Sequence, residues 1–525
     1  MTVLSTVLGF PRIGANRELK KATEAFWAGK IDEKSLQATA KQLRIDHWKA
    51  QKAQGVDVVA AGDFSFYDQV LDHAVMFNVI PKRYEGYGLT PLELYFAMGR
   101  GLQRAATEHS KAVDVVACEM VKWFDSNYHN IRPEFSEQTE FKLMNEKPLD
   151  EYLEAKENGV VTRPVVIGPV SFLYLGKAAH ESPTLKPLDL LDKLLPVYKQ
   201  LLKKFAEAGV EWVQIDEPIL AYDLPEEVKL EFKAAYDYLA TADDRLKLLF
   251  TTYFGTIVHN LDIISTGLHI QGLHVDLVRA PGQLDDVIAA IGPKTVLSVG
   301  VVDGRNIWKT DLKKAIALVQ HAVDKVGKDR VFVASSSSLL HTPYSIANEK
   351  KLDPEVKEWF SFALEKCKEL SVIANVINNG PESETEYVDA NAKAVESRRT
   401  SSLTNDPQVK ERFDAISAGL LQRKSEYTTR KEAQVAKLHL PLFPTTTIGS
   451  FPQTKEIRQA RNKLGKKEIT EEEYEKFIEK EIQEMIQFQE EVGLDVFVHG
   501  EPERNDMVCY QRNQADMRFN ISGNA

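Results

Sequence analysis

Two adjacent acids, Asp216 and Glu217, close the apolar run EWVQIDEP (211–218). Such a pair at a strand end can serve as a general base or anchor a substrate amine. It can equally cap the next helix or pair with a nearby Arg or Lys. The residues alone leave both readings open. Other β-branched runs end in Asp63, Asp125, Asp276 and Asp303, and one ends in the serines 335–338. The serines could hold an anion through hydroxyl and backbone N–H groups, although a polar loop is the commoner use of such a run. His274 and Asp276 share a strand face and could supply two metal ligands, but a histidine satisfied beside an acid is more frequent. The three cysteines, Cys118, Cys367 and Cys509, are scattered, with no His-x-Cys or Cys-x-x-Cys, so no zinc site is expected in this sequence. No G-x-S-x-G elbow, Walker loop or G-x-G-x-x-G turn occurs. Arg17 and Lys20 are three apart on a helix expected after the first strand, and Lys122 lies near the end of a later one. Together they could hold a polyanionic tail, with a solvated helix face as the plainer alternative.

To bring such groups to one rim, the chain must supply parallel strands. Nine runs qualify: 7–14, 57–65, 114–127, 164–172, 211–218, 248–255, 272–278, 296–306 and 331–339. Amphipathic helical stretches such as 188–209 and 313–327 separate most of them. Near-continuous apolar strands alternating with helices predict a parallel sheet covered on both faces. The count suits an α/β fold, a (β/α)8 TIM barrel over residues 1–345, with one run too many to be a barrel strand. An open doubly wound sheet is the alternative, disfavoured by the missing glycine-rich turn.

Residues 346–439 read as a helical connector, with Phe413, Ile416, Leu420 and Leu421 at helical spacing. A strand signal then restarts and resembles the beginning of the chain. TVLGFPRI (6–13) parallels TTIGSFPQT (446–454), and Arg17-Glu18-Leu19-Lys20 parallels Lys455-Glu456-Ile457-Arg458. GVDVVAAGD (55–63) parallels GLDVFVHGE (493–501). Ordered blocks at nearly one offset, 440 for the first and 438 for the last, predict a duplicated (β/α)8 barrel starting near 440. The 86 residues from 440 to 525 are expected to hold only its beginning. The helix expected over 471–493 should therefore pack on the first barrel, self-associate or be poorly ordered.

The composition is that of an ordinary globular protein: 525 residues, 43% hydrophobic and 27% charged, which excludes a disordered polymer. The net charge of −11 argues against nucleic acid as a partner. No apolar run has membrane-spanning length, and the N-terminus lacks a basic segment and cleavage site, so no membrane partner is expected. Three cysteines fit a reducing, cytoplasmic compartment.

Eight stretches, taken in order, carry a family likeness. They are GFPRIG with RELKKA, AGDF, KWFDSNYH (122–129), IGPVSF (167–172), QIDEP (214–218), SVGVVDGRN (298–306), TTIGSFPQT and VHGEPERNDMV (498–508). Together they resemble the cobalamin-independent methionine synthases of eukaryotic microbial type, from residue 1 to about 508. The resemblance implies two face-to-face barrels. It implies methyl transfer from 5-methyltetrahydropteroyltri-L-glutamate to L-homocysteine, giving methionine without cobalamin. Folate contacts are implied for Arg17, Glu18, Leu19, Lys20 and Lys122. Homocysteine contacts are implied for Ile448, Gly449, Ser450 and Glu501, with Glu501 on the ammonium group. Also implied are a monomer in the full-length form and a zinc ion, held by His, two Cys and Glu, that makes the homocysteine sulfur a thiolate. No such ligand set and no catalytic residue is recognised in this sequence. The strand end TTYFG (251–255) offers neither His nor Cys, and residues 509–525 do not resemble the family's continuation. The chain is accordingly read as a C-terminally truncated product, inactive alone. Alternatives are a non-catalytic folate-polyglutamate-binding or regulatory protein, and a different barrel enzyme built on Asp216 and Glu217.

Overall fold

The computed structural model describes residues 2–106, 111–265 and 267–504. Its first unit, Met1–Thr404, alternates strands and helices. In chain order these are β1 (Leu4–Thr6), α1 (Glu18–Trp27), α2 (Glu33–Ala53), β2 (Val59–Ala61), α3 (Gln69–Met76), α4 (Pro91–Arg100) and α5 (Lys147–Glu157). There follow β3 (Thr162–Ile167), α6 (Pro169–Tyr174), α7 (Leu191–Glu207), β4 (Trp212–Asp216), α8 (Glu226–Leu239), β5 (Lys247–Thr251) and α9 (Leu261–Ser265). The unit continues with β6 (Gly272–Asp276), α10 (Leu284–Ala290), β7 (Val296–Val302), α11 (Leu312–Val326) and β8 (Val331–Ser335). It closes with α12 (Pro354–Glu358), α13 (Ala363–Asn379) and α14 (Thr385–Thr400).

The eight strands form one sheet in the order β1-β8-β7-β6-β5-β4-β3-β2. Every neighbouring pair is parallel, and a further parallel bridge, Thr6 to Val58, brings the two ends of the sheet together. This is the expected (β/α)8 barrel. Its strands are buried at nearly every position because helices cover the outside and side chains fill the inside. Helix α7 shows the outer packing: Leu191, Leu194, Leu195, Tyr198, Leu201, Leu202 and Phe205 form its buried stripe. The Tyr198 hydroxyl also donates to the Ile167 carbonyl at 2.6 Å.

The barrel interior is partly polar. Arg163, fully buried, donates to Gln214 Oε1 at 2.8 Å. The Gln214 amide in turn donates to the Leu8 carbonyl at 3.1 Å and to Asp216 Oδ1 at 2.8 Å.

Three details depart from the expectations. Strand β1, Leu4–Thr6, lies ahead of the run 7–14 that was expected to hold it. The surplus run 114–127 contributes no barrel strand. Its ends enter two short antiparallel pairs, Leu102–Arg104 with Val113–Val115 and Met120–Lys122 with His129–Ile131. The connector expected from 346 starts later, because α13 packs against β1, β8 and α11 and so supplies the barrel's last covering helix. Its Cys367, Leu370, Ile373 and Ala374 are buried.

The second unit, Asn405–Ala525, carries α15 (Pro407–Asp414), α16 (Tyr427–Leu438), α17 (Lys455–Gly465) and α18 (Glu471–Glu491). Phe413, Ile416, Leu420 and Leu421 do not share one helix: α15 stops at Asp414, and all four are exposed. Among the described residues no helix is long and apolar enough to cross a membrane.

Candidate functional site

As barrel geometry requires, the C-terminal ends of the barrel strands gather the first unit's candidate acids except Asp125, which follows the Met120–Lys122 strand outside the barrel sheet. Their partners are internal. Glu217 is fully buried and accepts from the Val170 and Ser171 amides at 3.2 and 2.8 Å and from the Tyr236 hydroxyl at 2.9 Å. It thus caps the start of α6, against Gly168, where a Cβ would lie 2.1 Å from its Oε1. Asp216 accepts from Gln214 and, at 3.1 Å, from the Tyr253 hydroxyl. Burial pushes both carboxyls up to about 7, against the lowering effect of these donors. The helix-capping alternative therefore describes Glu217, and Asp216 belongs to the interior network.

The remaining rim groups are similarly committed. Asp63 accepts from the Phe10 amide at 2.8 Å, and burial raises it to about 6. Asp276 accepts from the amides of Phe254, Val278 and Arg279 at 3.1, 3.0 and 2.9 Å. Asp303 ties down its own loop through the Arg305 amide and the Asn306 side chain, both at 2.7 Å. His274 bonds Ser298 Oγ at 2.8 Å and faces the Ser336 carbonyl at 3.4 Å. Burial lowers its ring to about 3, so it stays neutral. His274 and Asp276 therefore each have other partners, and the metal-pair possibility does not describe them. Ser335, Ser336 and Ser338 accept from the Leu8, Gly304 and Leu340 amides, as a polar loop does.

The candidate cations sit apart from this network. Arg17 is the N-terminal flanking residue of α1, in the left-handed region at φ 62°, and is half-buried. Glu18 accepts from the Asn16 amide at 2.9 Å, Leu19 is buried, and Lys20 is exposed in the first turn. Arg17 thus precedes the helix that was expected to carry it beside Lys20. Lys122 is exposed on the 120–131 hairpin. Among the described residues no ion pair engages Arg17, Lys20 or Lys122, which leaves all three ammonium or guanidinium groups available to a polyanion.

In the second unit, Arg504 brings two of the homocysteine candidates together. Its Nε lies 2.9 Å from both Ser450 Oγ and Glu501 Oε2. Gly449 and Glu501 both have positive φ, 81° and 44°. For glycine that is permitted; for Glu501 it is a strained conformation of the kind found where a side chain must be aimed. Ile448 is 99% exposed and touches neither. The role of Arg504 was not foreseen, although it stands within the VHGEPERNDMV motif.

Among the described residues no three His, Cys, Asp or Glu side chains gather as a metal-binding group. Cys118 is buried beside Arg83 and Tyr84, and Cys367 is buried within α13; Cys509 lies outside the described residues. This donor set does not fit a zinc ion.

Comparison with known proteins adds two family matches. Residues 4–327 match the cobalamin-independent synthase N-terminal domain, and residues 443–523 match the cobalamin-independent synthase catalytic domain. The second match runs past Val508, where the motif resemblance was expected to end. A probable 5-methyltetrahydropteroyltriglutamate–homocysteine methyltransferase of Schizosaccharomyces pombe is 58% identical over 508 residues, which is 97% of this chain and 66% of that protein. Proteins named 5-methyltetrahydropteroyltriglutamate–homocysteine methyltransferase from Candida albicans and Saccharomyces cerevisiae are 57% and 56% identical. They are covered to 66% and 68% of their length by 97% and 99% of this chain. The chain thus spans about two thirds of the length of the curated relatives it matches.

Proposed function

Because the chain belongs to the cobalamin-independent methionine synthase family, we propose that it acts in methyl transfer from 5-methyltetrahydropteroyltri-L-glutamate to L-homocysteine. In this reading Arg17, Lys20 and Lys122 hold the tail carboxylates, with Glu18 and Leu19 completing the folate-contacting stretch. Gly449, Ser450 and Glu501 receive the amino-acid end of homocysteine, beside Ile448. The observation that carries the reading is the identity of 56–58% to three named methyltransferases along 97–99% of the chain. Zinc, implied by the resemblance, would make the homocysteine sulfur a thiolate, and the described donor set does not fit it.

The chain's own contribution is electrostatic. Three unpaired cations and a triglutamate attract each other, and the attraction weakens with ionic strength. Calorimetry on the full chain should show the triglutamate binding tighter than the monoglutamate, with an advantage that shrinks between low and high salt. The double variant Arg17→Ala/Lys20→Ala and the single Lys122→Ala should each lose most of that advantage. Equal affinity for the two forms in wild-type protein would sink the reading.

A second reading, a non-catalytic folate-polyglutamate-binding or regulatory protein, draws on the first barrel's rim, where Asp216, Glu217, Asp276 and His274 are committed to internal hydrogen bonds. Calorimetric titration of the purified chain with homocysteine separates the two: the first reading expects binding through Gly449, Ser450 and Glu501, and the second expects none.

A further inference from the structure

The rim of the first barrel carries an arrangement that the folate and homocysteine contacts leave unused. Arg305, in the loop after β7, holds its guanidinium 4.7 Å over the Phe254 ring. Phe254 meets His341 at 5.7 Å, and His341 meets Tyr128 at 5.9 Å, both edge to face. Tyr128 accepts from Arg12 at 2.8 Å, which fixes the far end of the row. Burial, with Arg305 nearby, keeps His341 neutral at about 4. Among the described residues no hydrogen bond engages its ring.

Arg305 and Arg279 share a single carboxylate, Asp125, at 3.4 and 4.0 Å. The Asp125 side chain is 68% exposed, so two cations face one solvated anion through long contacts. Two bulky residues here are held at positive φ: Phe254 at 75° and Phe124, beside Asp125, at 45°. The first is tied by its amide to Asp276, and the second packs on Trp123 and Tyr222. Aromatic residues adopt this conformation only under constraint, and such strain collects at ligand clamps.

We propose that Arg305, above the Phe254 ring, and Arg279 form a carboxylate subsite for the glutamates beyond the third of a polyglutamyl folate, with Asp125 as the group the ligand displaces. The proposal rests on the folate reading and deepens it. Lys122 and Asp125 are three residues apart, no more than about 11 Å of extended chain, so one tail can run from the lysine to the two arginines. A guanidinium fork matches a planar carboxylate better than the distant, hydrated Asp125 does. The ring beneath Arg305 holds the fork in place by cation–π attraction.

The test is calorimetry on the full chain with the tri- and pentaglutamate forms of 5-methyltetrahydrofolate. Wild-type protein is expected to bind the pentaglutamate about fivefold tighter, the scale of one partly buried charge-assisted pair. Arg305→Gln and Arg279→Gln should each remove that increment, whereas Asp125→Asn, which frees both arginines, should enlarge it. The opposite sign of the Asp125 variant guards against general misfolding. Triglutamate binding with no increment, or an increment that survives both arginine variants, overturns the subsite and leaves the folate reading intact. Failure of every folate form to bind removes both. Inorganic phosphate competing as strongly as free tri-γ-glutamate identifies a general anion site and overturns the polyglutamyl assignment.

Discussion

At the level of single residues, the strand-end acids separate what a residue type permits from what its surroundings allow. Asp216 and Glu217 have the chemistry of a general base, but each oxygen is engaged by an internal donor. Their position carries a pH signature. Burial raises Asp216 from the ordinary carboxyl range to about 7, so between pH 4 and 7 the folded state holds a proton that the unfolded state has released. Stability from this group is therefore present at low pH and lost as pH rises through about 7. Asp216→Asn keeps the shape without the charge. Relative to wild type it should gain stability by roughly 1 kcal/mol or more between pH 5 and pH 8. Urea melts at the two pH values check this; a pH-independent difference refutes it. Arg504 makes a second residue-scale case, because it occupies the Ser450 and Glu501 oxygens proposed to receive the amino-acid end of homocysteine. Arg504→Gln should tighten homocysteine binding severalfold if Arg504 only competes, and weaken it if Arg504 orients the two acceptors. Calorimetric titration with homocysteine reads the sign.

At the level of elements, the duplication read from short motifs recurs in hydrogen bonds. Ser5 donates through its amide and hydroxyl to Asp57 Oδ2, both at 2.8 Å. Thr445 donates through the same two groups to Asp495 Oδ2, at 2.7 and 2.8 Å. Each hydroxyl accepts the acid's own amide in return, at 3.0 and 3.1 Å. Helices α2 and α18 both have 21 residues. Each also sends a side chain to the segment that follows: Trp48 Nε1 donates to the Ala60 carbonyl in β2, and Gln489 bonds the Val498 carbonyl and amide. The equivalence explains why Asp63 and Glu501 stand at one place in two copies yet differ in use: Asp63 binds the Phe10 amide, and Glu501 pairs with Arg504. Ser5 is fully buried, so Ser5→Ala removes the hydroxyl that the Asp57 amide and carboxylate share and leaves them only the Ser5 backbone groups. It should cost the first barrel about 1–2 kcal/mol, seen as a lower urea midpoint at unchanged slope.

At the scale of the whole molecule, the two units bury apolar surface very differently. The first has a continuous core from Val3 to Ile377. The second exposes Leu442, Phe443, Phe488 and Val492, and Ile457 is its buried hydrophobic residue among those described. Few buried contacts mean low free energies of local opening. Amide exchange on the full chain should therefore be faster in α16, α17 and α18 than in α7 or β4. Equal protection in the two units would contradict this.

Hydrophobic period, turn residues and motif order determined the (β/α)8 class, the repeat after 440 and the family. Each is a property of local sequence, or of blocks compared along it. The surplus ninth run and the late start of the connector were not legible, because strand propensity in 114–127 and helical spacing in 363–379 are the same whether or not the barrel uses them. Tertiary structure alone decided those memberships. It also decided that the rim acids are consumed as acceptors, that Arg504 stands between Ser450 and Glu501, and that Phe254 and Phe124 are strained beneath and beside a shared arginine pair. These outcomes depend on which groups meet once the chain folds, from three residues apart for Glu501 and Arg504 to more than three hundred for Leu8 and Ser335, and strand or helix propensity does not encode those meetings.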